Sequence, residues 1–519
     1  MTKPICIWLF LLLGFCATGQ AQDNTSACRA KTRYGIVEGT RTEGICVYKG
    51  VPFAQPPLGP LRWQPPQPPK PWRGVRPART FGPRPMQTRV YSDMVFRSDT
   101  LSEDCLYLNV WTPGPSDTAR PVLVYFYGGG FRAGSGDEPR YDGAAMARKG
   151  IVAVTVNYRL GVFGFLALPE LTRESPHHAS GNYGLMDQQA ALQWVHDNIS
   201  AFGGDPNRVT IAGESAGAMS VSAQMAAPLS KGLFVGAIGE SGSVLGNLSP
   251  RTLSASEQQG EAFLALSGAH DLAGLRKLPA ETLLKLSARS DAPRFGPNID
   301  GYFLTESPME TFATGKQADV PLLAGWNSAE VSYRSLLGAL TPTVAHYTET
   351  LHALYGDQAA EALKCYPAKT DKEVEAAATA LASDRFIAYA TWKWIDLHGK
   401  TDGFPVYRYL YAHPLPPLKG HNTPRASGAP HASEIPYALG NLPLVHAYSW
   451  TQEDYAVSQT LQGYFVHFIQ TGNPNGEGLP RWYGLQASIP KVMVIDTQSG
   501  SRPETHQKRY LFLDQFFYP

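Results

Sequence analysis

Ser215 carries the pattern best suited to chemistry, at the centre of segment 213–217, which reads Gly-Glu-Ser-Ala-Gly. A β-branched run beginning at Val209 precedes it and an alanine-rich run without proline follows, which predicts a strand, a tight turn and a helix. A serine on such a turn exposes its Oγ, and the flanking glycines let the backbone bend. The pattern predicts a nucleophile at Ser215, and the alternative is a glycine-serine loop without chemistry.

A similar segment, 239–243, reads Gly-Glu-Ser-Gly-Ser and also follows an apolar run. It lacks the second glycine at the position that the turn requires. We therefore interpret this segment as a structural strand end.

A serine hydroxyl needs a base, usually a histidine that a carboxylate orients. With a nucleophile on a strand-turn-helix, the acid follows the serine in the chain and the histidine comes last. His431 fits as the base because it lies in a loop of small residues after a predicted strand, and His421 is its rival. Glu330 fits as the acid just past another predicted strand. Its competitor is Asp300, whose pairing with a following glycine is typical of a turn.

Three consecutive glycines at 128–130 end the apolar run 121–127. Without side chains, the backbone N–H groups of such a loop are open to a ligand, as a developing oxyanion requires. The glycines therefore predict an oxyanion hole, and the alternative is a plain flexible turn.

The elements around these residues predict a mostly parallel α/β sheet. Runs 121–127 and 151–158 are typical of strands buried on both faces, and 183–202 has apolar residues at helical spacing. Strands and helix alternate up to Ser215, which places the serine at a strand's carboxyl end, where open α/β sheets bind ligands. An edge hairpin is predicted at 34–53 and a proline-rich surface segment at 56–85.

The second half of the chain predicts further strands at 320–324, 404–411 and 492–495, the last of which closes the sheet. Helical patterns at 257–266, 359–365 and 372–382 predict insertions that cover the site as a cap. No linker, charge block or repeat divides the 519 residues, which indicates one large domain. Lys and Arg number 45 against 44 Asp and Glu, a balance that argues against a nucleic acid or an acidic membrane as partner.

Residues 1–21 are typical of a secretory signal: a basic start, an apolar run at 5–15 too short to span a bilayer, then small residues. We predict cleavage after Ala21, a mature domain of residues 22–519, and export to the periplasm or beyond. A lipoprotein anchored at Cys16 is the alternative.

Four cysteines remain in the mature chain: Cys28, Cys46, Cys105 and Cys365. They allow three complete disulfide pairings, and the sequence does not choose among them. No two of them have the spacing of a metal site.

Taken together, these segments resemble the type-B carboxylesterase family, which includes cholinesterases, para-nitrobenzyl esterases and some lipases. The matching segments occur in order from Gly39 to about Tyr483, namely 103–109, 128–131, 157–161, 202–206, 213–217, 325–330, the loop around His431, and 471–474. The resemblance implies an α/β-hydrolase fold, a mostly parallel sheet flanked by helices with cap-like helical insertions. It also implies hydrolysis of small-molecule carboxylic esters without a metal or an organic cofactor.

The resemblance assigns a role to each candidate residue. It implies that Ser215 is the nucleophile, that His431 is base and then acid, and that Glu330 is the orienting carboxylate. Glu214, beside the nucleophile, is implied as a buried supporting carboxylate. The oxyanion-hole N–H groups are implied to belong to Gly129, Gly130 and Ala216.

The sequence departs from the family in three places. Segment 81–87 has no cysteine to pair with Cys105, which is therefore free or differently bridged. Segment 80–104 has no tryptophan to face a quaternary ammonium, so choline esters are not expected as substrates. Val331 follows Glu330 where a glycine is common.

Four aromatic residues either line a pocket for bulky esters or pack in the core: Trp326, Tyr333, Phe131 and Tyr127.

We therefore expect an exported serine esterase that works through an acyl-enzyme. One alternative is a non-catalytic adhesion or binding protein on the same fold, but such proteins typically lose a triad residue. The other is a lipase for long acyl chains, which requires a lid with a large apolar face.

Overall fold

One large sheet forms the framework of the protein, which a computed structural model describes over residues 28–114, 118–401, 403–421, 423–486 and 490–518. The predicted signal peptide, residues 1–21, lies outside the described residues. The strands are, in chain order, β1 (Cys28–Thr32), β2 (Gly35–Thr42), β3 (Ile45–Pro52), β4 (Val75–Pro77), β5 (Arg84–Pro85), β6 (Leu101–Ser102), β7 (Tyr107–Thr112), β8 (Arg120–Phe126), β9 (Val152–Val156), β10 (Gly204–Glu214), β11 (Gly236–Glu240), β12 (Arg251–Thr252), β13 (Asn298–Ile299), β14 (Leu322–Asn327), β15 (Val406–Tyr411), β16 (Lys491–Ile495) and β17 (Gly500–Pro503).

The strand order in the main sheet is β1-β2-β3-β7-β9-β8-β10-β11-β14-β15-β16-β17, and β4 pairs with β2. Neighbours from β9 to β16 in this order are parallel, whereas the strands from β1 to β7 and the terminal β17 pair antiparallel along it. The register aligns Gly213 with Phe126 and Glu240 with both Glu214 and Gly325. The carboxyl ends of the central strands therefore meet at one edge.

Helices cover the sheet because its central strands are apolar throughout; β9, Val-Ala-Val-Thr-Val, is buried at every position. A π-helical turn, Asp384–Ala388, joins α13 to α14. The α-helices are α1 (Ala144–Arg148), α2 (Gly161–Phe165), α3 (Pro169–Glu174), α4 (Tyr183–Asn198), α5 (Ala216–Ala226), α6 (Leu253–Ser267), α7 (Leu272–Lys277), α8 (Ala280–Ser287), α9 (Pro308–Ala313), α10 (Arg334–Leu337), α11 (Val344–Tyr355), α12 (Ala359–Cys365), α13 (Asp371–Ser383), α14 (Tyr389–Gly399), α15 (Ile435–Ala438), α16 (Gln452–Thr471) and α17 (Gln507–Phe517).

The predicted α/β architecture with helical insertions is confirmed. Helices α6, α7 and α8 pack around an apolar cluster of their own, which includes Phe163, Phe263, Leu275 and Leu283. This cluster is separate from the main core on the sheet. The three helices are therefore an insertion with its own packing, as the helical pattern at 257–266 indicated.

One strand prediction differs from the structure. In the family-like segment 103–109, β7 begins at Tyr107, and Glu103 before it accepts from Arg62 at 2.5 Å. The run at 492–495 is not the last strand, because β17 pairs antiparallel with β16. β17 is partly exposed at the sheet edge and lacks an apolar pattern, so pairing with its neighbour defines it as a strand.

A disulfide between Cys28 and Cys46 settles the cysteine pairing that the sequence left open. It joins β1 to β3 across β2, at the antiparallel side of the sheet. Cys105 is free and buried, and burial raises the pKa of its thiol. Cys365 is free and partly exposed.

Replacing Cys28 and Cys46 together by alanine should lower the thermal unfolding midpoint by several degrees. The disulfide joins residues that are 18 positions apart. A bridge over this separation restricts the unfolded chain and thereby stabilises the folded protein by about 3 kcal/mol, which the variant loses. Calorimetry at one fixed scan rate measures the shift, with Cys365→Ser as the control that keeps the midpoint. A reducing agent should lower the midpoint of the natural protein and not that of the double variant. Equal midpoints for all three proteins contradict the expectation.

Candidate active site

Ser215 lies on a sharp turn between β10 and α5. Its backbone has φ 57° and ψ −121°, a sparsely populated region for a residue with a side chain. Its N–H donates to the carbonyl of Glu240 at 2.8 Å, which fixes the turn to the neighbouring strand β11. A Cβ at Gly217 would lie 2.0 Å from the carbonyl oxygen of Phe126, and a Cβ at Gly213 would lie 2.5 Å from the backbone of Gly217. The two flanking glycines are therefore required sterically.

His431 and Glu330 meet Ser215 in one line of side chains. The Nε2 of His431 lies 2.9 Å from the Oγ of Ser215, and its Nδ1 donates to a carboxylate oxygen of Glu330 at 2.6 Å. Glu330 is fully buried, whereas the imidazole keeps 24% of its surface. The serine hydroxyl is thus within reach of an oriented imidazole that is open to a substrate on one side.

The loop that carries His431 is fastened to the end of β14. Asn327 donates from its side-chain amide to the carbonyl of Pro430 at 2.8 Å, and the N–H of Ala329 donates to the carbonyl of Ala429 at 3.0 Å. The N–H of His431 donates to the carbonyl of Glu330 at 3.2 Å. These bonds set the direction of the imidazole from the backbone of the strand that also supplies the acid.

Glu330 is held by three donors. Its second carboxylate oxygen accepts from the N–H of Asn327 at 2.7 Å and from the hydroxyl of Ser241 at 2.6 Å, while the first accepts from His431. Burial acts to lower the pKa of His431, but the carboxylates of Glu214 and Glu330 outweigh it and raise that pKa. The site therefore favours the protonated imidazole, which is the form that proton transfer from the serine would create.

Glu214 reaches the same face of the imidazole as Ser215. Its Oε1 lies 3.1 Å from the Nε2 of His431, and burial raises the pKa of this carboxyl group to about 7. Behind it, burial raises the pKa of Glu240 to about 8, and burial together with the neighbouring carboxylates raises that of Glu434 well above its usual range. A cluster of buried carboxyl groups with raised pKa values thus forms the floor of the site.

The glycine loop that follows β8 lies against the serine turn. A Cβ at Gly128 would lie 3.1 Å from the Cβ of Ser215, and a Cβ at Gly129 would lie 2.1 Å from the carbonyl oxygen of Ala133. Gly129 has φ 113° and Gly130 has φ 62°, values that favour glycine. Within the described ranges, no protein acceptor bonds the N–H of Gly129, Gly130 or Ala216. These groups are available to a substrate oxygen.

The rival candidates lie elsewhere. His421 is exposed, and the side chain of Asp300 accepts from the N–H groups of residues 302, 303 and 304 in a turn, as its sequence context indicated. Among the aromatic residues considered for a pocket, Tyr127 stacks on Tyr158 and is a core residue. The other three also pack against the core: Trp326 against Tyr510, Phe131 against Phe165, and Tyr333 at its margin.

Two residues of the site were missed in the sequence. Ser241 lies in the segment interpreted as a strand end, and β11 does end at Glu240, but its hydroxyl bonds Glu330. Phe386 lies in the π-helical turn with its ring edge-on to His431 at 5.1 Å, and 41% of its surface is exposed. The alignment of β11 with β14 could have indicated Ser241, whereas no sequence signal marks the π-helical turn.

The described residues contain no group of three or more His, Cys, Asp or Glu side chains arranged to hold a metal ion. In the same ranges, no helix is both long and apolar enough to cross a bilayer.

Comparison with known proteins identifies the chain at the family level. The sequence model of the protein family named Carboxylesterase family matches residues 26–513. The chain belongs to the carboxylesterase family. Solved structures agree: a PNB esterase and the carboxylesterase of Geobacillus stearothermophilus superpose with TM-scores of 0.80 and 0.78. Each is 32% identical, and each match covers 93% of this chain and 99% of the other. The α/β-hydrolase fold implied by the resemblance is thereby confirmed.

Curated relatives are esterases by name. The chain is 39% identical to the fumonisin B1 esterase of Sphingopyxis macrogoltabida over 84% of this chain and 79% of the relative. It is 35% identical to the para-nitrobenzyl esterase of Bacillus subtilis, over 93% and 98% of the two chains. A pyrethroid hydrolase of Rattus norvegicus is 34% identical over 92% of this chain and 88% of the relative. Together with its family membership, these relatives show that this protein is a carboxylic ester hydrolase.

Replacing Ser241 by alanine should lower kcat/KM for 4-nitrophenyl butyrate about tenfold. A hydrogen bond to a charged group contributes about 1.5–3 kcal/mol, and its loss leaves the buried Glu330 with fewer donors to hold it against His431. Ser243→Ala is the matched control, because the Ser243 hydroxyl lies in the same turn but donates to the carbonyl of Ala390. Equal losses of activity in the two variants would show that Ser241 acts only through folding.

Proposed function

We propose that this carboxylesterase is an exported serine hydrolase that cleaves carboxylic esters through a triad of Ser215, His431 and Glu330. The observation that supports it is the continuous contact from serine to acid: 2.9 Å from Oγ to Nε2 and 2.6 Å from Nδ1 to the carboxylate. A nucleophile, a base within reach of its proton and an acid that orients the base are the three parts that acyl transfer requires.

In this proposal, the Oγ of Ser215 attacks the ester carbonyl carbon while the Nε2 of His431 takes the hydroxyl proton. The N–H groups of Gly129, Gly130 and Ala216 donate to the oxygen that becomes negative. The imidazolium then gives its proton to the departing alkoxide, which leaves an acyl group on the serine. A water attacks that acyl group, His431 takes the water proton, and the free acid leaves as the proton returns to Ser215.

Glu214 is proposed as a positioning residue that acts through His431. Its carboxyl lies 3.1 Å from the Nε2 that also faces Ser215, so it stabilises the imidazolium that forms when the serine proton is transferred. Glu330 does the same from the opposite nitrogen. The two carboxyl groups therefore favour the charge of the transition state more than that of the resting state.

Export and a single mature domain are part of the same proposal. Residues 1–21 have the composition of a signal peptide, and the disulfide between Cys28 and Cys46 is typical of proteins that fold outside the reducing cytoplasm. The main core extends from Cys28 to Leu513 without a break into two clusters of similar size, which supports residues 22–519 as one domain.

Hydrolysis of 4-nitrophenyl esters from acetate to palmitate tests the proposed nucleophile. Ser215→Ala should lower kcat at least about 10⁴-fold, because the acyl acceptor is gone while the fold stays. A serine-directed organophosphate should inactivate the natural enzyme, and mass mapping should place the label on Ser215. Residual turnover by the variant near that of the natural enzyme rejects the assignment. Preference for short soluble esters distinguishes an esterase from a lipase for long chains.

Replacing Glu214 by glutamine should shift the pH profile of kcat/KM. His431 must be neutral to accept the serine proton, so kcat/KM rises with pH through its pKa. Glu214 raises that pKa, and the neutral amide no longer does, so the acid limb should move to lower pH by about one unit. kcat should fall as well, since the imidazolium loses a partner. An unchanged apparent pKa, measured from pH 5 to 11, contradicts this role.

A further inference from the structure

A cavity of about 230 Å³ lies beside the glycine loop and is not used by the proposed triad. One wall is Arg132, which directly follows Phe131 in that loop, and another is the beginning of α2. Further lining residues come from α8 and the segment after it, between Leu284 and Phe295, and from Met86 and Thr88. Helix α8, the segment after it and the end of the glycine loop thus border the cavity.

The cavity is lined by three arginines and by no acidic residue. Arg132, Arg289 and Arg294 are among the lining residues, and all three are exposed. Arg289 pairs with Asp291 at 2.7 Å. Arg132 and Arg294 have no carboxylate or other side-chain partner within the parts of the chain that the structure describes. Two unpaired arginines that line the same cavity from different walls create a positive potential that attracts an anion.

The cavity is close to the reacting centre through the backbone. The N–H of Arg132 donates to the carbonyl of Gly129 at 3.1 Å, and the N–H of Gly161 donates to the carbonyl of Phe131 at 2.7 Å. Arg132 is two residues from Gly130, so their Cα atoms are at most about 8 Å apart. The cavity therefore borders the same loop whose N–H groups are available to a substrate oxygen, and a substrate that extends from Ser215 along this loop would bring its far end to Arg132.

The other lining residues indicate which kind of chain would carry the anionic group of a ligand. Leu284, Phe163 and Phe295 supply apolar surface, which suits a short alkyl chain. Arginine binds a carboxylate through two parallel hydrogen bonds, and this planar fork distinguishes a carboxylate from a neutral group of similar shape. The cavity thus combines apolar surface for a methylene chain with cations for its end.

We propose that this cavity binds a free carboxylate carried by the ester substrate, and that the enzyme prefers such acidic esters over neutral ones. The inference rests on the proposed chemistry at Ser215. The carboxylate comes from either portion of the ester, as the far end of a dicarboxylic acyl group or as a carboxylate on the alcohol.

Two pairs of substrates separate these sources. For the acyl portion, the pair is the mono-4-nitrophenyl ester of suberic acid and the same ester with the free carboxyl as its primary amide. For the alcohol portion, the pair is the acetate ester of 6-hydroxyhexanoic acid and its primary amide. Each pair differs only in charge, so the ratio of kcat/KM between acid and amide measures recognition of the carboxylate. Free suberate, assayed as a competitive inhibitor, reports binding without chemistry.

We expect a ratio of about ten or more in one pair at low ionic strength, since charge-assisted hydrogen bonds exceed neutral ones about twofold in strength. The ratio should fall as salt is added. Arg132→Ala and Arg294→Ala should each reduce it severalfold, and the double variant should bring it to about one. Arg132→Lys should keep part of the preference because it retains the charge. Arg73→Ala is the matched control, since it removes one exposed arginine that does not line the cavity and lies just before β4, which pairs with β2.

The ratio compares two substrates on the same enzyme, so a general loss of folding or catalytic power cancels from it. A ratio near one in both pairs for the natural enzyme overturns the inference, as does a preference that survives the double variant or disappears in Arg73→Ala. Absence of turnover for every member of both pairs, together with absence of label on Ser215, instead rejects the proposed function. Label on Ser215 with equal turnover of acid and amide keeps the function and rejects the carboxylate site.

Discussion

The common carboxyl edge of the parallel strands is the constraint on which the rest of the structure depends. The glycine loop follows β8, Ser215 follows β10, Ser241 follows β11 and Glu330 follows β14. Parallel pairing in register brings these strand ends level, and so groups far apart in the chain lie within a few ångströms of one another. Only His431 comes from a longer loop after β15, and that loop is hydrogen-bonded to the end of β14. A shift of one strand by one residue would turn its side chains to the opposite face and separate the site.

Burial of carboxyl groups at this edge is the main electrostatic cost of forming the site. Hydrogen bonds to these groups and the uptake of protons offset it. Glu330 accepts three hydrogen bonds, and Glu240 accepts one from the hydroxyl of Tyr125 at 2.9 Å. Glu434 accepts from the side-chain amide of Asn327. Because burial raises the pKa of Glu214 and Glu240, a proton can neutralise each near pH 7 or 8, so the floor does not carry all of its charges at once. The imidazole of His431 is the cation that such a floor stabilises best.

Local patterns could be predicted from the sequence, and contacts between distant segments could not. The turn at Ser215 has a local cause, since glycines at fixed offsets are needed for close approach to β8, and the structure has that turn. The structure likewise brings His431 and Glu330 together, because loops after neighbouring parallel strands must meet. The bond between Ser241 and Glu330 depends on which strand lies beside β14, information that the segment itself does not carry. The disulfide between Cys28 and Cys46 depends in the same way on β1 and β3 flanking β2.

The distribution of charge around the site gives a substrate carboxylate one favourable place. Next to Ser215, the carboxylate of Glu330 repels a second anion, whereas a neutral ester carbonyl meets only N–H groups there. The exposed Arg132, which follows the glycine loop and lines the cavity, attracts the same anion. An ester with a carboxylate at one end is therefore oriented by both regions at once, its charge outward and its carbonyl inward. After cleavage the new acid forms beside the buried carboxylates, so the repulsion that excluded an anion from that position also favours release of the product.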